Sequence, residues 1–405
     1  MTSSALDSPY SWFRLLVTLT VATIGSVGIW AFIAIMPAVQ AEFGVERGAV
    51  SVPYAVTMFG FAFGNFIMGR AVDRFGAATA QMAAAALLAA GFVAATYAPN
   101  MAVLTAIHFV IGFGSSVSFG PLMADISHWF MKRRGVAVTV VASGNYLAGA
   151  LWPWLLSDVL AEDGWRAVYL ILAALAAFVA IPLALLLRRQ APEEAMNIAA
   201  EKAAAAVMTA GLSPRALQWL LMLAGLACCT AMAMPQVHIV AYCVDLGYGP
   251  AVGAEMLSLM LLGGVVSRVL SGVLADWLGG VKTLLIGSFL QGVALFLYLP
   301  WDGLMPLYIV STVFGLSQGG IVPAYAIIVR EYMPPKEAGA RVGVVIMSTI
   351  MGMALGGWMS GWIYDLTGSY AMAFLNGIAW NALNFAVILT LMVRSRPRRG
   401  AAVPA

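Results

Sequence analysis

The chain reads Glu255-Met-Leu-Ser-Leu-Met-Leu-Leu-Gly-Gly-Val-Val-Ser-Arg268-Val-Leu-Ser-Gly-Val-Leu-Ala-Asp276, a stretch in which Arg268 is the only charged residue between two acidic ends. A helix of this length covers ~30 Å, the thickness of bilayer hydrocarbon. Arg268 precedes Asp276 by eight residues, which at ~1.5 Å per residue places it ~12 Å inside the membrane. Keeping a guanidinium charged there costs at least ~2.5 kcal/mol, so we expect Arg268 to face a watery cavity or an anion.

The composition of the whole chain indicates a membrane protein. Of its 405 residues, 62% are hydrophobic and 10% are charged, whereas soluble domains have ~45–50% apolar and ~25% charged residues. A soluble fold could not hide this much apolar surface. We predict twelve membrane-crossing helices, numbered here as spans 1 to 12, at 14–37, 51–71, 77–98, 102–126, 136–158, 166–188, 216–241, 252–275, 281–300, 304–329, 339–362 and 370–393.

The positive charges predict the orientation. Of the 21 Lys and Arg residues, only Arg47 and Arg166 fall in loops 1–2 and 5–6, and Arg268 lies within a span. The others fall in the two tails and in the loops on the opposite side. The positive-inside rule therefore predicts that both termini are in the cytoplasm. We expect a multi-pass protein of a bacterial-type inner membrane. The first apolar run is too long for a cleavable signal peptide, so we expect it to be span 1 itself.

The sequence repeats itself at a fixed offset. The segment Gly69-Arg-Ala-Val-Asp73-Arg-Phe-Gly76 matches Gly272-Val-Leu-Ala-Asp276-Trp-Leu-Gly279, 203 residues later, and Glu42-Phe-Gly44 matches Asp245-Leu-Gly247 at the same offset. Because the repeated unit has six spans, an even number, its two copies run parallel. We predict an all-α integral membrane fold with an N-terminal six-helix bundle (1–188), a cytoplasmic linker (189–215) and a C-terminal six-helix bundle (216–405), an architecture typical of transporters.

The loop after span 2 carries a recognisable motif. Gly69 permits close approach of helices, Asp73 can cap a neighbouring helix N-terminus, and Arg74 stays at the surface. With this Gly-x-x-x-Asp-Arg-x-Gly pattern, its weaker copy around Asp276 and twelve spans, the chain resembles the major facilitator superfamily over nearly its whole length.

A second motif resembles the monocarboxylate transporter family. Trp129-Phe130-Met-Lys132-Arg133-Arg134-Gly-Val136-Ala137, followed by Ser143-Gly144-Asn145-Tyr146-Leu-Ala-Gly149, is similar to its loop 4–5 and helix 5 signature. By this resemblance, Arg268 matches the family arginine that binds the substrate carboxylate, for which a bidentate guanidinium is suited. Two departures concern proton coupling: animal members have an Asp where this chain has Gly264, and a helix 1 lysine that is missing here. The related oxalate–formate antiporters also bind anions through helix arginines.

Seven residues are predicted to contact the substrate. Arg268 leads them, and its alternative is a structural pairing with a buried carboxylate or with carbonyl groups. The other candidates are polar or aromatic side chains within spans: Asn145, Tyr146, Trp30, His238, Gln318 and Tyr325. Four of these have an alternative role, which is packing for Asn145 and Tyr146, an interfacial belt for Trp30 and an interhelical hydrogen bond for His238.

Five further residues are predicted to form a cytoplasmic gate. Asp73 and Arg74 lie in the motif after span 2, and Asp276 is the repeat copy of Asp73. Asp125 ends span 4 close in sequence to Lys132–Arg134, so we expect it to form a gate salt bridge with this cluster, which includes Arg133.

The remaining features exclude several function classes. Three cysteines and three histidines show no metal-ligand spacing, and no Walker loop for ATP is present, so we expect neither metal nor cofactor, nor nucleic acid as a partner. We expect a monomer among membrane lipids that moves a small carboxylate, such as a monocarboxylate, with a proton or in exchange for another anion. An exporter of amphipathic drugs or metabolites on the same fold is the alternative. A membrane-embedded enzyme or sensor is a third hypothesis, but no catalytic constellation supports it.

Overall fold

The structure, a computed structural model, describes residues 6–45, 47–191, 201 and 213–394. In this part of the chain twelve helical spans are long and apolar enough to cross a membrane, which confirms the predicted number. Their bounds are Pro9–Met36, Val52–Phe75, Ala77–Thr96, Met101–Ile126, Arg134–Trp152, Gly164–Leu185, Pro214–Ile239, Glu255–Leu278, Gly280–Leu297, Leu304–Tyr332, Pro335–Thr367 and Tyr370–Arg394. Of the predicted linker, 192–200 and 202–212 lie outside the described residues.

Several spans consist of more than one helix. The α-helices are Pro9–Gly25, Val27–Phe43, Arg47–Phe75, Ala77–Thr96, Met101–Ser115, Gly120–Ile126, Arg134–Leu155, Ser157–Glu162, Gly164–Leu175, Ile181–Leu185, Pro214–Asp245, Pro250–Leu278, Gly280–Leu297, Leu304–Gln318, Ile321–Tyr332, Ala338–Thr367 and Tyr370–Arg394. Span 4 is interrupted by the 3-10 turn Ser116–Ser118, and span 6 contains the π-turn Ala176–Ala180. Span 10 is interrupted at Gly319 and Gly320, 203 residues after the break in span 4.

The repeat in the sequence is also a repeat in the packing. A Cβ placed on Gly112 in span 4 would lie 2.0 Å from the carbonyl oxygen of Thr57 in span 2. Its counterpart Gly315 in span 10 would meet the carbonyl oxygen of Met260 in span 8 at 2.5 Å. Glycine is required at both crossings because the backbones touch. Spans 1–6 and spans 7–12 therefore form two parallel-related six-helix bundles, called here the N-terminal and C-terminal halves.

Two pairs of spans carry most of the contact between the halves. Span 2 packs along span 11, and span 5 packs along span 8. A Cβ on Gly69 would lie 2.2 Å from the carbonyl oxygen of Gly339, and one on Gly135 would lie 2.3 Å from that of Gly272. The halves are thus in direct backbone contact at one end of the molecule. We call it the basic end, because it carries Arg74, Lys132–Arg134, Arg188, Arg189, Lys282 and Lys336.

Candidate functional site

Arg268 lies in the interface between the two halves. Its side chain is 3% exposed, and the helix Pro250–Leu278 that carries it belongs to the C-terminal half. Nε donates to the carbonyl oxygen of Gly319 in span 10 over 3.1 Å, and Nη1 donates to the carbonyl oxygen of Ala142 in span 5. The guanidinium carbon also lies 3.5 Å from the centroid of the Tyr146 ring, a cation–π contact with the N-terminal half. One side chain thus joins span 8 to spans 5 and 10.

Among the residues that the structure describes, carbonyl dipoles and an aromatic ring surround the charge of Arg268, and no carboxylate does. Within the described residues the ion pairs are Arg14–Asp125, Arg166–Glu42 and Arg341–Glu337, none of which includes Arg268. Two carbonyls satisfy donors but leave the net charge unpaired, and a buried unpaired charge is unfavourable. Of the two alternatives predicted for Arg268, a carboxylate partner does not occur among the described residues, whereas carbonyl partners do.

The break in span 10 supplies one of these carbonyls. Gly319 and Gly320 interrupt the helix, and a Cβ on Gly319 would lie 2.1 Å from the carbonyl oxygen of Gly264. Spans 8 and 10 therefore approach at backbone distance beside Arg268. Because Pro323, four residues later, has no N–H to donate, the Gly319 carbonyl is available to the guanidinium.

Tyr146 explains the glycine at position 264. Its hydroxyl donates to Oε1 of Gln318 over 3.3 Å, and its ring occupies the space beside Gly264, where a Cβ would lie 2.7 Å from Cε2 of the ring. No larger side chain fits at position 264 while the ring stays there. The aspartate of the animal monocarboxylate transporters is therefore replaced here by an aromatic face against the arginine.

Two buried donors near this cluster have no acceptor among the described residues. They are Nε2 of Gln318, which is 1% exposed, and Nε1 of Trp30. The Trp30 ring packs on span 5 at Gly149, where a Cβ would lie 2.8 Å from Cδ2. Gly149 follows Tyr146 by three residues, about one helical turn or ~4.5 Å farther from the basic end. Arg268, Gln318 and Trp30 thus provide donors on one side of span 5.

The other predicted substrate contacts lie at different places. Asn145 is 9% exposed and, within the described residues, makes no hydrogen bond; it is about 100° around the helix from Tyr146. His238 hydrogen-bonds through Nε2 with the carbonyl oxygen of Gly357 in span 11 over 2.8 Å. The hydroxyl of Tyr325 donates to Oδ1 of Asn384 in span 12 over 3.0 Å. The bonds of His238 and Tyr325 stay within the C-terminal half, so neither residue belongs to the Arg268 cluster.

His108 in span 4 forms a separate buried polar cluster. Its Nδ1 lies 3.0 Å from Oγ1 of Thr57, and its Nε2 lies 3.1 Å from the hydroxyl of Tyr169. Thr57 donates its own hydrogen to the carbonyl oxygen of Pro53, so it accepts from Nδ1–H and the Tyr169 hydroxyl donates to Nε2. Both nitrogens are satisfied in the neutral tautomer, and this histidine joins spans 2, 4 and 6.

Asp73 and Asp276 bridge the halves at the basic end. The Asp73 carboxylate accepts hydrogen bonds from the N–H groups of Gly339 (2.8 Å) and Ala340 (2.7 Å), in the first turn of span 11. The Asp276 carboxylate accepts from those of Gly135 (2.5 Å) and Val136 (3.2 Å), in the first turn of span 5. Each aspartate therefore caps a helix of the opposite half.

The other three predicted gate residues contact their own half. The expected salt bridge of Asp125 with Lys132–Arg134 is wrong: its partner is Arg14 of span 1, at 2.7 Å, and Arg14 is 2% exposed. The backbone N–H of Arg133 donates to Oδ1 of Asp7 over 3.4 Å. The exposed Arg74 lies 5.2 Å from the ring centroid of its neighbour Phe75. These contacts stabilise the N-terminal half and do not cross the interface.

Sequence reasoning missed the backbone part of the site. The carbonyls of Ala142 and Gly319 hold Arg268, but a carbonyl has no residue-type signature, and only the Gly319–Gly320 pair gave a signal. Arg14 was also missed, because it lies at the predicted start of span 1 and resembled a loop residue. Its cue was a lone arginine before a long apolar run, Leu15 to Ala38, in which no other residue is charged.

Comparison with known proteins shows which family has this fold. The family model of the Major Facilitator Superfamily matches residues 18–306 and 245–405. The chain therefore belongs to the major facilitator superfamily and is a multi-pass membrane transporter.

Individual relatives agree with the predicted family. Monocarboxylate transporter 13 of Bos taurus is 28% identical over 348 residues, which cover 84% of this chain and 79% of the relative. The uncharacterized MFS-type transporter YcxA of Bacillus subtilis is 26% identical over 375 residues, covering 89% of this chain and 90% of the relative. The resemblance to the monocarboxylate transporter family is thus confirmed.

Solved structures share the fold. The human organic anion transporter MFSD10 (TETRAN) superimposes with a TM-score of 0.74 at 15% identity, covering 95% of this chain and 100% of that one. The Escherichia coli fucose:proton symporter FucP gives a TM-score of 0.70 at 13% identity, with 95% and 99% covered. At these identities the comparison shows the major facilitator fold alone, as predicted.

Proposed function

We propose that this chain is a secondary active transporter that moves a small carboxylate, such as a monocarboxylate, across the inner membrane by alternating access. The observation that carries the proposal is Arg268: a permanent charge at mid-membrane, placed between the halves and without a carboxylate partner among the described residues. A substrate carboxylate supplies the missing charge, and a guanidinium binds it in two parallel hydrogen bonds. The names of the curated relatives, monocarboxylate transporters 13 and 11, support this substrate class.

The proposed cycle follows from the contacts of Arg268 and the two caps. With the basic end closed by Asp73 and Asp276, the anion enters from the opposite end and meets Arg268. Nη1 exchanges the Ala142 carbonyl for the carboxylate, while Nε keeps the Gly319 carbonyl within the C-terminal half. The halves then rock about the bound anion and the two caps separate from the first turns of spans 5 and 11. We place the basic end in the cytoplasm by the positive-inside rule.

A second charge movement must complete the cycle. Carrying one anion per turnover moves negative charge across the membrane, so a proton travels with it or another anion returns. Gly264 and the lysine-free span 1 remove the acid and the base that animal relatives have. His108 is held by two hydroxyls in its neutral tautomer, which favours anion exchange over a histidine-based proton relay.

Transport in proteoliposomes tests the proposal. We expect Arg268→Ala to abolish uptake of labelled lactate or oxalate, and Arg268→Lys to retain a small fraction because an ammonium keeps the charge but loses the bidentate geometry. Arg70→Ala is the matched control, since Arg70 is exposed and packs on Phe66. Full flux in Arg268→Ala protein would overturn the assignment.

The same preparation tests the alternative function. One relative is the agnestins efflux protein AgnL12 of Paecilomyces divaricatus, 24% identical over 304 residues, which favours an exporter of amphipathic drugs or metabolites as the second candidate. Transport of hydrophobic cations or uncharged amphiphiles that is insensitive to Arg268→Ala would establish the exporter.

A further inference from the structure

Two equivalent turns at the basic end differ in the side chain that lies at the helix N-terminus. Gly76 precedes the helix Ala77–Thr96 of span 3, and Gly279 precedes the helix Gly280–Leu297 of span 9. The two glycines lie 203 residues apart and have the same left-handed backbone, with φ of +84° and +83°. Each turn presents the N–H groups of a long helix toward the aqueous side.

In the C-terminal half a carboxylate covers the turn. The N–H of Gly280 donates to Oε1 of Glu331 over 2.9 Å and to Oε2 over 3.1 Å. A Cβ on Gly279 would lie 3.6 Å from the same Oε1. Glu331, at the end of span 10, therefore supplies negative charge to the N-terminus of span 9.

In the N-terminal half the corresponding residue is a histidine. His128 lies 203 residues before Glu331, and the helix of span 3 has no side-chain cap among the described residues. A Cβ on Gly76 would meet nothing within 4 Å. Burial, together with the positive charges of Arg330, Arg134 and Arg14, holds the pKa of His128 well below its ordinary value. The neutral imidazole supplies no negative charge here, and its Nδ1 has no partner among the described residues.

A cavity of about 970 Å³ lies at this turn. Its wall includes Gly76, Ala77, Ala78 and Thr79 of the turn, His128, and the five cationic side chains Arg14, Arg74, Arg188, Arg189 and Lys336.

The carboxylates of the cavity wall are already engaged. They are Asp73, which caps span 11, and Asp125, which pairs with Arg14. Arg14 is 2% exposed, and its Nε has no partner among the described residues. Positive charge therefore dominates a cavity that ends at an uncapped helix N-terminus, which is the arrangement that binds anions.

We propose that this cavity binds a phosphate group, which takes at span 3 the place that the Glu331 carboxylate takes at span 9. Phosphate fits because it offers several acceptor oxygens to helix N–H groups and to arginines at once. The group can belong to the headgroup of an anionic lipid of the adjacent leaflet or to a soluble phosphate. The site is separate from Arg268, and its existence does not depend on the proposed function.

The position of the cavity gives the bound phosphate a mechanical role. Arg188 and Arg189 follow span 6 of the N-terminal half, whereas Lys336 begins span 11 of the C-terminal half, directly before the turn that Asp73 caps. A phosphate held by both sides adds a contact between the halves at the basic end. It therefore favours the conformation in which this end is closed.

The repeat itself supplies the decisive variant. His128→Glu places a carboxylate where Glu331 has one, while His128→Gln is the neutral control. The thermal unfolding of the full-length protein is followed in detergent with and without inorganic phosphate, and in nanodiscs of phosphatidylcholine with and without phosphatidylglycerol. We expect the wild type and His128→Gln to gain Tm with one of these phosphates. His128→Glu should have a higher Tm at the start and gain nothing further.

The pattern of responses identifies the source of the phosphate. Stabilisation by phosphatidylglycerol but not by inorganic phosphate assigns the cavity to a lipid headgroup, and the reverse assigns it to a soluble ligand. Removing two positive charges from the cavity wall with Arg188→Gln and Arg189→Gln should reduce the Tm gain from either phosphate. The proposal is overturned if neither phosphate raises the Tm of the wild type, or if His128→Glu responds as the wild type does.

Discussion

Asp73 and Asp276 are equivalent residues of the repeat, and each joins its own half to the other half. Asp73 of the N-terminal half caps the first turn of span 11, and Asp276 of the C-terminal half caps the first turn of span 5. In both cases the bonded N–H groups are those of the second and third residues of the helix. Two equivalent caps thus hold the basic end closed, and each combines hydrogen bonds with a favourable helix-dipole contact.

Removing the charge of either aspartate should increase the population in which the basic end is open. Asparagine can still cap a helix but lacks the charge, so we expect Asp73→Asn and Asp276→Asn each to weaken closure by ~0.3–2 kcal/mol, or ~2- to 30-fold in the population of the open state. Thr139→Cys reports on this opening, because Thr139 is 1% exposed and packs against Gly272. In a background without the three native cysteines, its labelling by a water-soluble maleimide should accelerate in each variant and most in the double variant.

An exposed carboxylate at the other end is the control for this prediction. Asp302 lies in the loop between spans 9 and 10, so Asp302→Asn should leave the labelling rate unchanged. Equal labelling of the double variant and its parent would show that the caps do not determine closure.

The contact of Gly264 with Tyr146 should make position 264 intolerant of any side chain. Gly264→Ala places a Cβ 2.7 Å from the Tyr146 ring, and such overpacking costs ~1–3 kcal/mol. We expect a lower Tm and slower transport, and adding Tyr146→Ala, which makes room, should restore part of the Tm. Rescue of the same size by Tyr146→Phe, which keeps the ring, would contradict this steric explanation.

The ring of Tyr146 should matter more than its hydroxyl. The guanidinium of Arg268 lies 3.5 Å from the ring centroid, and a desolvated cation–π contact is worth up to ~2 kcal/mol. Tyr146→Phe retains this contact and should change the half-saturating carboxylate concentration by less than ~3-fold. Tyr146→Leu should change it clearly more. Equally large changes in the two variants would place the role of Tyr146 in its bond to Gln318 instead.

The two arginine–carboxylate pairs of the N-terminal half should differ in their effect on stability. Arg14 is buried, so Arg14→Gln leaves Asp125 unpaired and should cost ~3–5 kcal/mol. Arg166 and Glu42 are 40% and 37% exposed, and Arg166→Gln should cost ~0.2–1 kcal/mol. Thermal unfolding in one detergent compares them directly. A milder effect of Arg14→Gln than of Arg166→Gln would contradict the structural role of Arg14.

The exposed pair also predicts a pH dependence. The hydrogen bond from Arg166 lowers the pKa of Glu42 below its ordinary value of 4.5. The pair therefore stabilises the protein above this value, and the contribution is lost as the pH falls through the lowered pKa. The Tm difference between the wild type and Arg166→Gln should be small at pH 7 and vanish once the pH has fallen below the lowered pKa of Glu42. A difference that grows on acidification would contradict the sign of this shift.

The sequence predicted the parts of this molecule that depend on residue type and period. Twelve apolar runs and the offset of 203 residues follow from counting, and both agree with the structure. It could not predict contacts between groups far apart in the chain. Asp125 was assigned to cations a few residues away, but its partner Arg14 lies 111 residues earlier.

The site shows the same limit. Arg268 was found because a charge in a membrane span is unfavourable and therefore conspicuous. The two carbonyls that hold it were not, because every residue has one. Tyr325 and Gln318 looked alike in the sequence, being polar groups beside glycines, but the helix of span 10 places Gln318 against Tyr146 and Tyr325 against Asn384.

The hydrogen bond from Arg268 to the Ala142 carbonyl couples substrate affinity to the transport rate. The guanidinium edge that would bind the substrate carboxylate also donates to the Ala142 carbonyl and so links span 8 to span 5. It cannot bind both acceptors at once. Any substitution that weakens the hydrogen bond to this carbonyl should strengthen substrate binding and also weaken the contact between the halves in the unloaded protein. Directed evolution for higher affinity at this position will therefore select variants with altered turnover as well.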